Sequence, residues 1–315
     1  VVIRREEAVE AERLGLPGQG GQPSVGGALL GFDEDAEVHG PRLGAGRWAG
    51  IGRVAAVSDA IFVPDGHLLV PSPGAAGPWF PDVVHGGAIV GLLARAVEAA
   101  PAAGPMVTTR LSVDMTRRVP LRPARVVAEV VRDGRRVQSL EARYLVDDEV
   151  VARAAAIRIR VDDTVVPPDT ELPALPEDDP LPGPDQVPAM DLTFDRIDFV
   201  HNFTMHRSEP APGTAVSWVR LDTAFVAGED LLPAVRLAII ADMVPSAAQV
   251  LDFHRYLSVN PDLSVSIARL PQGEWIGSRA VVRVNPDGHG QTEARLHDRS
   301  GGFGLSVKSL LIDRR

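Results

Sequence analysis

Two places in the chain combine residue types that could act on a carbonyl group. The first is Val84-His85-Gly86-Gly87-Ala88-Ile89-Val90-Gly91-Leu92-Leu93, a glycine-bearing start to a very apolar helix with one histidine at its mouth. The first N–H groups of a helix have no partner inside it, and the dipole there favours negative charge. Such a start can polarise a carbonyl, that of a thioester included. Adjacent glycines also let another chain or a ligand come close to the backbone. The plainer reading is a glycine-eased packing contact beside a hydrogen-bonded histidine. The second place is Asp242, at the end of the apolar run Leu237-Ala238-Ile239-Ile240-Ala241. A carboxylate is costly to bury unpaired, so its presence there suggests a function. Desolvation is also a way to tune a carboxyl group toward a base. The plainer reading is a carboxylate that caps the helix break near Pro245.

Other residues offer less. Arg110, Arg117, Arg118, Arg269 and Arg279 could bind phosphates, because a guanidinium matches phosphate geometry, or could be ordinary solvated strand residues. His201 and His206 lie five apart on a strand-like segment and point to opposite faces, which is poor geometry for a shared metal. His254 suits the end of a helix through the dipole. The chain has no cysteine, hence no disulfide, thiolate nucleophile or cysteine metal site. No phosphate-binding or dinucleotide glycine pattern follows a strand, and no Gly-x-Ser-x-Gly elbow is present. The net charge of −10 argues against a nucleic-acid partner. No apolar run reaches about 18 residues, so no membrane span is expected. The opening Val-Val-Ile-Arg-Arg-Glu-Glu lacks the apolar region of a secretory signal, which makes a cytoplasmic location the expectation.

The elements that must position these residues can be read from pattern. Residues 1–57 are glycine-rich with little periodicity and read as a flexible extension, or as sequence upstream of the natural start. Ile61-Phe62-Val63 and Leu68-Leu69-Val70 form a hairpin about Pro64-Asp65-Gly66-His67. A helix runs from His85 to about Ala99, ended by Pro101 and Gly104. Strands follow at Met106–Met115, Ala124–Arg132, Arg135–Val146 and Val150–Val161. Residues 162–189 hold eight prolines and eight acids and read as a solvated linker. The pattern then returns. Phe199–Arg207 and Thr214–Leu221 are strands, and Leu232–Leu251 contains an apolar helix, interrupted near Pro245. Strands follow at Leu263–Arg269, Ser278–Val284, Gln291–His297 and Phe303–Ile312. Glu141-Ala142-Arg143 recurs as Glu293-Ala294-Arg295, each in the third strand after the helix. A repeat of this length is a duplicated domain. The fold class is α+β: two fused units, at 58–161 and 190–315, each an antiparallel sheet wrapped around a long central helix.

These features together resemble the double-hotdog acyl-CoA thioesterases, the type II or TesB-like group, over residues 58–315. The resemblance is carried by Gly77-Pro78-Trp79 ahead of His85-Gly86-Gly87, Arg132-Asp133-Gly134-Arg135-Arg136-Val137-Gln138 and Ala241-Asp242. It continues through Asn260-Pro261-Asp262-Leu263-Ser264-Val265, Arg269-Leu270-Pro271-Gln272-Gly273-Glu274-Trp275 and Ser306-Val307-Lys308-Ser309-Leu310-Leu311.

The resemblance implies hydrolysis of acyl-CoA thioesters by water, with no metal and no cofactor beyond the coenzyme A of the substrate. Its catalytic aspartate falls at Asp242. Its hydroxyl position falls at Asn260, with Ser258 and Ser264 close by, and its glutamine position falls at Lys308. Lysine only donates hydrogen bonds; it could neutralise Asp242, steady an oxyanion or grip a phosphate. His85, Gly86, Gly87 and Arg269 are the expected substrate-binding residues, with His85 mainly structural and the chemistry in the second copy. Two other readings stay open. One is a hotdog hydratase or dehydratase using a histidine–acid pair, for which His85 and Glu98 are the candidates in the first copy. The other is a non-catalytic acyl-CoA binding protein. A homodimer or higher oligomer is expected.

Overall fold

A computed structural model of the chain describes residues 60–80, 82–170, 180–192, 199–244, 246 and 250–315. The extension expected at 1–57 lies outside the described residues, as does the middle of the linker, 171–179.

The first copy opens with β1 (Ala60–Asp65) and β2 (Leu68–Pro71), the expected hairpin. Helix α1 (Gly86–Ala99) follows, then β3 (Met106–Asp114), β4 (Arg125–Asp133), β5 (Val137–Val146) and β6 (Glu149–Arg160). The second copy has β7 (Phe203–Ser208), β8 (Thr214–Leu221), β9 (Ala224–Val226), α2 (Pro233–Met243), β10 (Tyr256–Val259), β11 (Asp262–Ile267), β12 (Ile276–Val284), β13 (His289–Asp298) and β14 (Gly301–Arg314).

The repeat read from Glu141-Ala142-Arg143 and Glu293-Ala294-Arg295 is a repeat of topology. Those triplets lie in β5 and β13. The strands after each helix are ordered β4-β5-β6-β3 and β12-β13-β14-β11, and the two copies join edge to edge where β3 meets β11 antiparallel. Leu111 stands opposite Val265 and Val113 opposite Leu263. One continuous sheet of eleven strands results. The segments ahead of the helices also meet, because β1 pairs in parallel with β9 to extend the hairpin into a separate three-stranded sheet.

α1 is apolar nearly all round because it is covered nearly all round: it packs on β4 and β5 below and on α2 beside. Close approach of the two helices depends on glycine. A Cβ at Gly87 would sit 3.0 Å from the carbonyl oxygen of Ile239, and one at Gly91 would collide with the Ile239 side chain and Phe225. The packing reading of the glycines is therefore correct, and it is not the whole of their role.

Several details differ from the sequence reading. The segment expected as a strand from Phe199 begins as a 3₁₀ turn, Phe199–Asn202, and pairs only from Phe203. The second helix, by contrast, ends at Met243, where an interruption near Pro245 was expected. β9 and β10, three and four residues long, carry too little pattern to be seen in advance. The end of the linker is not simply solvated. Leu181 and Val187 pack with Trp218 and Trp275, and the Trp218 indole N–H donates to the Pro182 carbonyl at 2.7 Å. Met190 N–H bonds Met205 and Arg207 N–H bonds Pro188, so this strap covers the β7 edge.

Candidate active site

His85 is the N-cap of α1. Its backbone is extended (φ −63°, ψ 142°), and its Nδ1 accepts from the Gly87 N–H at 2.9 Å. An Nδ1 used as acceptor leaves the ring proton on Nε2 in the neutral imidazole. The ring stacks on Phe199 with centroids 4.3 Å apart. Burial pushes its pKa down to about 4; Asp242 opposes that shift and Lys308 adds to it. His85 is thus a neutral ring that fixes the mouth of α1.

Asp242 reaches the same point from the other copy. It lies in the last turn of α2 and is 2% exposed. Its Oδ1 accepts from Asn260 Nδ2 at 2.8 Å. Its Oδ2 faces the start of α1, 3.7 Å from His85 Nδ1. Since Nδ1 carries no proton, that approach is neither a hydrogen bond nor an ion pair. A Cβ at Gly86 would lie 2.9 Å from Oδ2, so glycine is what admits the carboxylate. Among the described residues neither Oδ2 nor the Gly86 N–H has a hydrogen-bond partner. An acceptor and a donor thus stand side by side at a helix N-terminus.

Lys308 answers the question its position raised: it contacts Asp242. It is 2% exposed on the inner face of β14. Its ammonium donates to the backbone carbonyl of Asp242 at 2.7 Å and to Ser246 Oγ at 3.0 Å, and it lies 3.9 Å from Asp242 Oδ1. Two of its three hydrogens are thus engaged at the C-terminal end of α2, where carbonyls lack helical partners and a cation is favoured. Burial lowers its pKa, against the opposing pull of Asp242 and Asp262.

His85, Gly86, Asp242, Asn260 and Lys308 are therefore gathered in one cluster, with Gly87 behind them against α2. Arg269 makes its contacts elsewhere. Its guanidinium binds both oxygens of Asp298, at 2.5 and 2.8 Å, and the carbonyl of Gly301 at 3.1 Å. The histidine–acid pair imagined within the first copy does not form. His85 and Glu98 are at opposite ends of α1, 13 residues or about 20 Å apart along the axis, and Glu98 accepts from Thr108 Oγ1. The acid beside His85 comes from the second copy. Ser246 was missed because nothing in the sequence ties it to β14. His206 Nδ1 bonds the Val187 carbonyl, and His254 lies exposed beyond α2, not at its end. No group of metal-ligating side chains occurs among the described residues, and none of their helices is long and apolar enough to cross a membrane.

A family model described as the acyl-CoA thioesterase N-terminal domain matches residues 75–159, and one described as the C-terminal domain matches residues 169–312. No curated protein matches the sequence. Among solved structures, a protein provisionally described as a thioesterase II from Thermobifida fusca YX is 16% identical, with 80% of this chain and 95% of that one covered and a TM-score of 0.61. A conserved protein of unknown function with hot dog fold from Alicyclobacillus acidocaldarius is 16% identical over 82% and 97% of the two chains, with a TM-score of 0.60. The acyl-CoA thioesterase II TesB2 from Mycobacterium marinum is 17% identical over 73% and 89%, with a TM-score of 0.52. At these identities the structures establish the shared double-hotdog fold alone.

Proposed function

The chain belongs to the acyl-CoA thioesterase family, and from that premise we propose a mechanism in which one site, built from both copies, hydrolyses acyl-CoA to the free acid and coenzyme A. The observation that carries it is the open Oδ2 of buried Asp242 beside the unpartnered N–H of Gly86. In this reading the thioester carbonyl oxygen takes the Gly86 N–H and the positive end of α1. A water held by Asp242 Oδ2 attacks the carbonyl carbon while Asp242 takes its proton. The carbonyl π electrons move onto oxygen, forming an oxyanion at the α1 N-terminus. Collapse breaks the C–S bond, and the proton on Asp242 passes to the departing thiolate. Water has then added across the C–S bond: its OH is in the acid and its H is on the thiol.

Asn260 fixes the rotation of the carboxylate so that Oδ2, not Oδ1, faces the water. Lys308 acts through Asp242: its ammonium pins the last turn of α2 and offsets the carboxylate charge. That role fits its engaged hydrogens better than contact with the oxyanion. His85 holds the α1 mouth open and supplies no proton. We extend the reading to a cytoplasmic homo-oligomer, which light scattering of the full chain and fractionation of its host cells would check.

Thiol release from acyl-CoAs of graded chain length tests the reaction. Steady turnover of at least one chain length is expected. Tight binding without any thiol release would convert the protein to an acyl-CoA carrier. Loss of enoyl absorbance from a trans-2-enoyl-CoA without thiol release would convert it to a hydratase.

A further inference from the structure

Many of the described arginines are met by a carboxylate. Arg95 pairs with Glu229, Arg117 with Glu149, Arg153 with Asp114 and Arg220 with Asp222. Three that are not share one neighbourhood. Arg118, Arg255 and Arg315 have no acidic partner within ion-pair distance among the described residues, and each lies over an aromatic ring instead. Arg118 sits 3.9 Å from the centre of the Phe80 ring, and Arg255 sits 5.9 Å from that of Tyr256. Arg315 sits 4.8 Å from Phe253 and 5.4 Å from Trp79, and those two rings are themselves in contact at 4.9 Å.

The rings and guanidiniums come from both copies and are tied together. Arg315 donates to the carbonyls of Pro78 and Phe253. Its own N–H bonds the Arg255 carbonyl. Arg118 precedes Val119, whose carbonyl accepts from Val84 N–H directly ahead of His85. A Cβ at Gly77 would stand 3.4 Å from the His85 Cα, and Trp79 is only two residues on, at most about 7 Å of chain. This aromatic and cationic shelf therefore borders the mouth of α1. Nearby acids are partly engaged with backbone: Asp252 accepts from the His254 N–H and Asp313 from the Arg314 N–H. Asp82 is exposed nearby.

We propose that this shelf, Trp79 and Phe253 with Arg118, Arg255 and Arg315, binds the nucleotide end of the substrate: a purine on the rings and phosphates on the guanidiniums. The inference rests on the thioesterase reading for the identity of its ligand. Guanidiniums without carboxylates match phosphate oxygens, and arginine over a ring is already held in a fixed plane. A purine has the flat π-face that an aromatic side chain accepts. Both groups occur in coenzyme A, joined to the thioester by a flexible pantetheine arm longer than the gap from Trp79 to His85. A chain of net charge −10 has no general attraction for such an anion. The shelf is where that repulsion is locally reversed.

The test uses the full chain, titrated calorimetrically with coenzyme A and with adenosine 3′,5′-bisphosphate. Steady-state kinetics follow on an acyl-CoA and on the matching acyl-pantetheine, which lacks the nucleotide. Arg118→Ala and Arg315→Ala are each expected to weaken the bisphosphate about tenfold. Each should raise KM for acyl-CoA by a similar factor while leaving kcat and the acyl-pantetheine KM unchanged. Trp79→Ala should weaken the bisphosphate as well. Arg132→Ala, an exposed arginine on β4, should do nothing. The proposal is overturned if the Arg118→Ala/Arg315→Ala double variant binds the bisphosphate like the wild type, if Arg132→Ala weakens it equally, or if the wild type binds neither ligand. Bisphosphate binding that depends on the shelf, without thiol release, would sink the hydrolytic reading and leave the shelf standing. Thiol release with an unchanged KM in the double variant would do the reverse.

Discussion

The helix pair can be read from either end, and the two ends are not alike. At one end the start of α1, His85-Gly86-Gly87, meets the last turn of α2 at Asp242. At the other the start of α2, Leu232-Pro233, lies beside Arg95 of α1, around a cleft also lined by Phe225, Glu229 and Val235. Counting from the first residue of each helix, Arg95 occupies the place in α1 that Asp242 occupies in α2. Every working part of the first end is replaced at the second. Leucine stands for the capping histidine, and proline, which has no N–H to offer a carbonyl, stands for Gly86. An arginine paired with Glu229 stands for the carboxylate. The sheet follows suit. Lys308 faces Thr292 beside Glu293, and the corresponding place beside Glu141 is Ala156 facing Leu140. On the proposed reading, the duplicated scaffold thus contains one equipped end and one that serves packing.

Asp242→Asn separates the two ends most directly. The variant should fold normally and lose about 10²–10⁴-fold in kcat, the usual weight of a general base, while Arg95→Ala stays within about twofold in the same thiol-release assay. If both variants kept wild-type turnover, the chemistry would lie elsewhere. Gly86→Ala comes next. Its methyl would sit 2.9 Å from Asp242 Oδ2, and displacing the carboxylate by a fraction of an ångström should reduce kcat by up to about 10²-fold. Pro233→Ala, its counterpart, should leave kcat alone.

If Lys308 acts through Asp242 as proposed, Lys308→Met should reduce kcat about 10–100-fold with KM little changed. Thermal melts give this residue a second readout, independent of activity. Its pKa is lower in the folded chain than the ordinary 10.5, so the unfolded state binds more protons between the two values and stability must rise with pH there. The wild type should therefore gain on Lys308→Met as pH climbs toward 10.5, and parallel melting curves would remove the buried ammonium from the account. His85 gives the smallest effect, with the pH window on the acid side. A ring with pKa about 4 folded and 6.5 unfolded contributes stability that is complete above 6.5 and lost as pH falls toward 4. His85→Asn should flatten that limb of the melting profile.

Much of this was legible in the sequence, for reasons that vary by element. α1 could be placed because twelve of its fourteen positions are apolar or glycine and a proline stop follows. The duplication could be read because strand pattern and one charged triplet recur in the same order. Asp242 could be singled out by its place in the family pattern, and the cost of burying a carboxylate in an apolar run agreed with that choice. What sequence did not reveal was juxtaposition: it left His85 as a structural landmark in one copy and put the chemistry in the other. The clue was available in Gly87 and Gly91, one turn apart, a face shaped for close approach that needs a second apolar helix to meet it. Lys308 was ambiguous for a different reason. A lysine on a strand does not disclose whether its ammonium reaches a side chain, a substrate or a backbone carbonyl, and here the C-terminal end of α2 decides it. The shelf at Trp79 and Arg315 joins residues more than 200 positions apart, and no local pattern marks it.

The joining of β3 to β11 within one chain has a genetic consequence. Were the two units separate, identical polypeptides assembled about a two-fold axis, every substitution would appear at both ends of the helix pair. An arginine at the carboxylate position would then abolish both centres at once. Covalent fusion lifts that constraint. Each end mutates on its own, so one can drift into a packing contact or acquire a different ligand while the other is held to its chemistry.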